Sequence, residues 1–204
     1  MLYIDKAGYV DSDLIEKNIF GNLEHGTMSK VNGIVVHQTF TDDTKTVFNS
    51  YRTPSANGAH FLIGKEGKIY QTASVRRITY HVGRLKSRCI ETRICSETEL
   101  KHVLSLESIT STSKRSSAVH RNEIRKTFPH RYPGNPDSIG IELVGNAFGP
   151  KGREIYEAVT DLQNAALRWL INELTTTLGV SMQEIYRHPK VSRKNKTEAS
   201  TAQW

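Results

Sequence analysis

The sequence predicts an α/β (α+β) fold, a mixed central β-sheet flanked by helices, with a helical segment inserted between strands. Three observations predict it. The run Ile34-Val35-Val36-His37-Gln38-Thr39 and the pattern Ser138-Ile139-Gly140-Ile141-Glu142-Leu143-Val144 are short, rich in β-branched residues and bounded by turn formers, as buried strands are. Between them, residues 59–63 and 68–72 flank Gly64-Lys65-Glu66-Gly67, a hairpin signal. Finally, Thr160-Asp161-Leu162-Gln163 is a capping box. It opens a helix whose stripe of Leu162, Ala166, Leu170, Leu174 and Leu178 runs to a stop at Gly179. Interleaved strands and helices bury their apolar faces by layering helix on sheet.

Along the chain, residues 1–32 read as an irregular lead-in ending at the turn-prone Lys30-Val31-Asn32-Gly33. Residues 42–52 have helical spacing and stop at Thr53-Pro54. From 83 to 137 the chain turns polar and rich in Ser, Lys and Arg. A capping box at Ser96-Glu97-Thr98-Glu99 opens a helix there, and Arg131-Tyr132-Pro133-Gly134-Asn135-Pro136 reads as turn. This segment has too few apolar residues for a core of its own. It is read as an insertion carrying one or two helices within a single domain spanning 1–204. After the long helix, Ile185-Tyr186-Arg187-His188 leads into a polar loop that runs to the C-terminus.

At 204 residues the chain suits one domain, and its 37% hydrophobic and 24% charged fractions are those of an ordinary globular protein. Its longest apolar runs are far too short to span a bilayer. The N-terminus, Met1-Leu2-Tyr3-Ile4-Asp5-Lys6, lacks the pattern of a Sec signal peptide, so synthesis in the cytoplasm without one is expected. A net charge of +7 favours a polyanionic partner. The basic residues are dispersed and no nucleic-acid-binding motif is present, so nucleic acid is not the expected partner. A bacterial wall with its anionic polymers is an equally good polyanion. Cys89 and Cys95 allow one local disulfide in an oxidising compartment, or two free thiols.

Of eight histidines, His37, His60, His81 and His188 sit in or beside predicted strands. A lone strand histidine is usually a satisfied structural residue, but the context of two is more pointed. His37 ends an apolar strand that would hold an imidazole rigidly at the sheet edge. His188 opens a loop that offers a cation and a carboxylate within ten residues. Neutral imidazoles plus a carboxylate form a zinc donor set, and a hydrolytic zinc keeps one position open for water. Such a site needs a general base and a group to stabilise the oxyanion. Glu142, in an otherwise apolar strand, is the candidate base. Its plainer reading is a solvent-facing strand residue opposite Ile139, Ile141 and Leu143.

Taken in order, these pieces resemble the type-2 N-acetylmuramoyl-L-alanine amidases, whose fold is shared with the peptidoglycan recognition proteins and phage amidase lysins. The matching pieces are Val35-Val36-His37-Gln38-Thr39, Gly58-Ala59-His60-Phe61-Leu62-Ile63, Gly67-Lys68-Ile69-Tyr70-Gln71 and Tyr80-His81-Val82-Gly83. They continue through Ser138-Ile139-Gly140-Ile141-Glu142-Leu143, the helix of 163–178 and Arg187-His188-Pro189. The resemblance implies Zn2+ held by His37, His188 and Glu198, with Glu142 as general base and Lys196 supporting the oxyanion. It places His60 and His81 at substrate-facing positions. The chain departs from the family in having Glu where Asp or Cys is usual at 198, in a second nearby cation at Lys194, and in the long basic insertion.

The implied activity is hydrolysis of the amide between N-acetylmuramic acid and the L-alanine of the stem peptide, with peptidoglycan as substrate. Two other readings compete: a metal-free peptidoglycan-binding module of the same fold, and a basic nucleic-acid-binding domain. Retention of both histidines, an acidic third residue and Glu142 argues against the first. No motif supports the second. The insertion and the N-terminus also resemble amidase effectors exported by bacterial contractile (type VI) secretion machines. That implies an antibacterial toxin acting in the periplasm of a target cell, with a cognate immunity protein in the producer; an endolysin or a wall-recycling enzyme is the alternative.

Overall fold

The computed structural model describes all 204 residues. In chain order the elements are β1 (Tyr3–Ile4), β2 (Val10–Asp11), β3 (Ile15–Lys17), β4 (Gly33–Gln38), α1 (Thr44–Tyr51), β5 (Phe61–Ile63), β6 (Ile69–Gln71), α2 (Arg88–Thr92), α3 (Glu97–Glu107) and α4 (Thr112–Glu123). They continue with β7 (Ser138–Leu143), β8 (Ala147–Phe148), β9 (Ile155–Tyr156), α5 (Asp161–Leu178), β10 (Ile185–Arg187) and α6 (His188–Val191). Six strands form one sheet in the order β10-β4-β7-β5-β6-β3. Strands β10, β4, β7 and β5 run parallel, β6 turns back antiparallel to β5, and β3 runs parallel to β6. The mixed, helix-flanked sheet expected from the sequence is the fold. No helix is long and apolar enough to cross a membrane.

Parallel strands are covered on both faces, and β4 is buried at every position. The two-residue period sorts its side chains. Ile34 and Val36, with Ile139, Ile141 and Leu143 of β7, join Leu167, Leu170, Ile171 and Leu174 of α5 in the main core. Each of these side chains contributes ~1.5–3 kcal/mol by burial. The opposite face is left with Val35, His37 and Glu142. Alternation therefore sets Glu142 against the core face, as its plainer reading had it, yet that face is the floor of a cleft.

Helix α5 begins at its expected cap. Thr160 Oγ1 accepts from the Gln163 N–H, and Gln163 Oε1 accepts from the Thr160 N–H; Gly179, at φ +68°, ends the helix. Its buried face differs from the expected stripe. Leu162 is exposed, whereas Gln163, Leu167, Leu170, Ile171 and Leu174 are buried. The reason is geometric: steps of four residues overshoot a 3.6-residue turn by about 40° each, so a purely i, i+4 row drifts round the helix. Gln163 is accepted in the core because its Nε2 donates to the carbonyls of Ile63 and Val144.

The N-terminal segment is more regular than its sequence suggests. β1 and β2 form a hairpin, and β3 closes the edge of the main sheet against β6. Ile15 points inward while Glu16 and Lys17 stay exposed, which blunts the open edge. Strands of two or three residues carry no legible period. Residues 83–137 hold three helices rather than the expected one or two, the first, α2, being only five residues long. Ser96 caps α3 by accepting from the Glu99 N–H, but the returning half of the expected box is absent because the Glu99 carboxylate pairs with Lys126; Ser111 caps α4. Leu85 and Tyr132 of this segment pack with Val35, Val82 and Val191, so it lies on the sheet beside the cleft. Cys89 and Cys95 are joined as a disulfide.

Candidate active site

The cleft opens where β4 and β7 end. Parallel register sets His37 directly beside Glu142, so both side chains rise from adjacent strands on the same face. His188 is the first residue of α6, immediately after β10, which pairs with the other edge of β4. Glu198 comes from the C-terminal loop. The flanking residues hold that loop in place: the Ala199 N–H donates to Gln38 Oε1, and Arg187 Nε donates to the Ala199 carbonyl. Ala199 has φ +51°, a left-handed conformation that costs a residue with a Cβ about 1–3 kcal/mol and turns Glu198 inward.

The structure brings His37, His188 and Glu198 together. One donor atom from each lies within 4.8 Å of the others, and all three residues are buried. Glu198 Oε1 is 2.8 Å from His188 Nδ1 and 3.6 Å from His37 Nδ1. The far nitrogens of both rings are already committed. His188 Nε2 donates to the Val82 carbonyl at 2.8 Å, and His37 Nε2 lies 2.9 Å from His81 Nδ1. The His81 ring continues the chain, with Nε2 against the carbonyl and hydroxyl of Ser138. An Nε2–H that donates outward leaves each Nδ1 turned toward Glu198, where it can bond the carboxylate or give its lone pair to an ion. That is how a metal-ligating histidine is normally oriented by its outer partner.

Electrostatics agree with that donor set. Burial, then the neighbouring His188, lowers His37 to about 4, and burial followed by the charges of His37 and His60 holds His81 well below the ordinary range. Burial works against ionisation of Glu198, but the hydrogen bond with His188 and the close approach of His37 outweigh it and hold the carboxylate at about 2. At neutral pH His37 is thus a neutral imidazole and Glu198 a carboxylate, the forms that zinc takes. Glu142 is shifted the other way, to about 7, by burial and then by the Glu198 charge; His188, the Tyr51 hydroxyl and Lys194 restrain the rise. Tyr51 donates to Glu142 Oε2 at 3.2 Å.

The other expected site residues separate. His81 lines the cleft, but its ring is tied to His37 and Ser138. The glycine at 140 makes room for it, since a Cβ there would stand 2.8 Å from His81 Nδ1. His60 does not reach substrate: it is fully buried, Nδ1 accepts from the Gly140 N–H and Nε2 donates to the Arg77 carbonyl. It pins the β5–β7 junction. Lys196 is exposed and takes no part in the cleft wall, whereas Lys194 does. The irregular loop turns between them, with Asn195 directed onto the Glu154 carbonyl.

The cleft has a volume of about 420 Å³. Sequence reasoning missed several of its walls. Phe40 and Tyr156 meet edge to face at 6.1 Å on one side, and Tyr80 stands on the other, stacked on His25 at 3.8 Å. Tyr51 lies 91 residues from the carboxylate it supports, a pairing that no local signal announces.

Residues 27–200 match the family described as N-acetylmuramoyl-L-alanine amidase. No curated protein matches the sequence. Among solved structures, AmpD is similar at a TM-score of 0.54 and 16% identity, covering 96% of this chain and 90% of that one. PlyL is similar at 0.53 and 14%, covering 88% and 84%, and the catalytic domain of XlyA at 0.51 and 18%, covering 88% and 87%. At such identities these structures speak for the fold, and the family match speaks for descent: the chain belongs to the N-acetylmuramoyl-L-alanine amidase family and is an enzyme of that class.

Proposed function

We propose that the chain is a zinc-dependent hydrolase of the amide joining the lactyl group of N-acetylmuramic acid to L-alanine in peptidoglycan. One observation carries the reading. A buried His37, His188 and Glu198 donor set stands beside a carboxyl, Glu142, that is held near neutrality and in register with His37. Those three side chains would hold the ion, and zinc bound there supplies a Lewis acid and a water of lowered pKa.

The chain's own groups do the rest. Glu142 takes a proton from the attacking water and returns it to the amide nitrogen as the C–N bond breaks, leaving a lactyl carboxylate and a free L-alanine amine. A pKa near 7 suits a group that must accept and then release a proton. Tyr51 fixes the carboxyl's orientation. Lys194, in the cleft wall, sets a positive charge where the tetrahedral oxyanion develops. Phe40, Tyr156 and Tyr80 offer flat faces to sugar and peptide.

The biological setting we propose is a secreted antibacterial effector or lysin acting on a target cell's wall, with an immunity protein in an effector's producer. The Cys89–Cys95 disulfide supports work in an oxidising compartment, and the charge of +7 supports an anionic wall. The test is direct. Purified protein should carry about one zinc per chain, and His188→Ala should lose both metal and muropeptide hydrolysis. Directed to the periplasm of a Gram-negative host, the chain should lyse it, and Glu142→Gln should not. A fully active metal-free protein would overturn the zinc reading, and periplasmic expression without lysis would overturn the effector role.

A further inference from the structure

A second cavity, also of about 420 Å³, lies on the far side of Tyr80 from the catalytic cleft. Tyr80 lines both. Its walls are Ile78 and Leu85 on one side, His120 of α4 and Ile124 just past its end on another, and Arg131 with Asn135 at the end. The insertion therefore builds most of it. By charge the insertion is the basic part of the molecule: residues 83–137 contain 11 Lys and Arg against 6 Asp and Glu, giving +5 of the chain's +7.

The side chains of His120 and Asn135 have spent their acceptors and kept their donors. His120 Nδ1 accepts from the Leu85 N–H, which leaves the proton on Nε2, and Nε2 has no partner in the chain. Asn135 Oδ1 accepts from the N–H groups of both His81 and Val82, while its amide Nδ2 bonds to nothing. Arg131 is committed to Asp137 and to the carbonyls of Lys126 and Tyr132, so it adds field rather than a free hand. Burial, then the charges of Arg84 and Arg121, lowers His120, so it enters the cavity as a neutral donor in a positive field. Two free side-chain donors beneath an apolar rim, in the basic part of the molecule, suit a carboxylate on a partly apolar chain.

We infer that this cavity is a subsite for the distal, carboxylate-bearing part of the stem peptide, entered past Tyr80 from the catalytic cleft. The inference rests on the amidase reading. The geometry also links occupancy to the chemistry. Asn135 holds the backbone of His81 and Val82, the two residues that orient the rings of His37 and His188. A carboxylate drawn to Asn135 Nδ2 is one side chain away from both metal-site supports.

The experiment compares muropeptides that differ only in whether the distal stem carboxylates are free or amidated. The readout is the ratio of kcat/KM for the acid over the amide. Ile124 is half exposed, so Ile124→Glu puts a negative charge at the rim with little risk to folding. It should lower the ratio at least about tenfold, the effect of one unfavourable charge contact of ~1.4 kcal/mol. His120→Asn keeps an acceptor for Leu85 and withdraws the donor from the position of Nε2 to that of a shorter amide, and should lower the ratio in the same direction. An unchanged ratio in both folded variants overturns the subsite. A muropeptide cut back to a dipeptide stem separates the two failures. If wild-type protein cuts neither long nor short stems, the amidase reading falls and the subsite with it. If it cuts both while the variants keep the wild-type ratio, the subsite alone falls.

Discussion

Arg187 Nε donates to the carbonyl of Ala199 at 2.9 Å, which ties the residue before one histidine of the site to the residue after its carboxylate. The same guanidinium also donates to the Ala202 carbonyl and lies 4.8 Å from the Trp204 ring centroid. A lysine at this position keeps the charge but cannot fork to two carbonyls. Arg187→Lys should therefore weaken zinc binding by about 10–100-fold, the usual cost of losing an outer-shell support. Chelator competition reads this, and an unchanged affinity would mean that the loop holds Glu198 unaided.

Glu142 gives a prediction in which activity and stability move in opposite directions. Its folded pKa of about 7 exceeds the ordinary 4.5, so the unfolded chain gives up the proton first. Stability then falls as pH rises between those values, and the full penalty is present above 7. Glu142→Gln removes that penalty. With chelator present, the variant should melt above wild type at pH 8 and level with it at pH 4. With zinc it should bind metal normally and lose at least ~10² in hydrolysis rate. A variant that melts below wild type at pH 8 would contradict the assigned shift.

Lys194 and Lys196 are two residues apart and differ in where they point. Only Lys194 lines the cleft. Lys194→Ala should reduce kcat by about ten- to a thousandfold with KM nearly unchanged, as removal of a transition-state donor does. Lys196→Ala should behave as wild type. The reverse result would move the oxyanion support to Lys196.

His60 is predicted to act on stability alone. Replacing it with Leu leaves the buried Gly140 N–H unpaired, at a cost of ~1–3 kcal/mol, and takes the partner from the partly buried Arg77 carbonyl. Thermal melting should drop by several degrees while KM for a muropeptide stays within twofold. A raised KM without loss of stability would return His60 to the substrate.

The parts legible in the sequence are those whose information is local. Strand β4, the 64–67 turn and the Thr160 cap each reside in a few consecutive residues, and each histidine is marked by its own short segment. What stayed hidden depends on distance. Ile15 became part of the sheet only because β6 offered it an edge, and Tyr51 supports a carboxylate 91 positions away. His60 and His81 look alike in sequence, each a histidine in a strand-like setting, and only packing shows one sealed by Gly140 and Arg77 and the other facing His37. Lys194 and Lys196 were indistinguishable for a similar reason, since irregular loops have no period from which to read a face.

Residues 81 and 82 orient the two histidines by different means, and that difference bears on how the protein tolerates change. His188 leans on the carbonyl of Val82, a backbone atom that any amino acid at position 82 would supply. His37 leans on the ring of His81, which only that side chain provides and which fits only because residue 140 has none. One half of the site is thus insured against substitution by the main chain itself. The other half is exposed to drift at two positions far apart in sequence, 81 and 140, either of which can remove the support of His37.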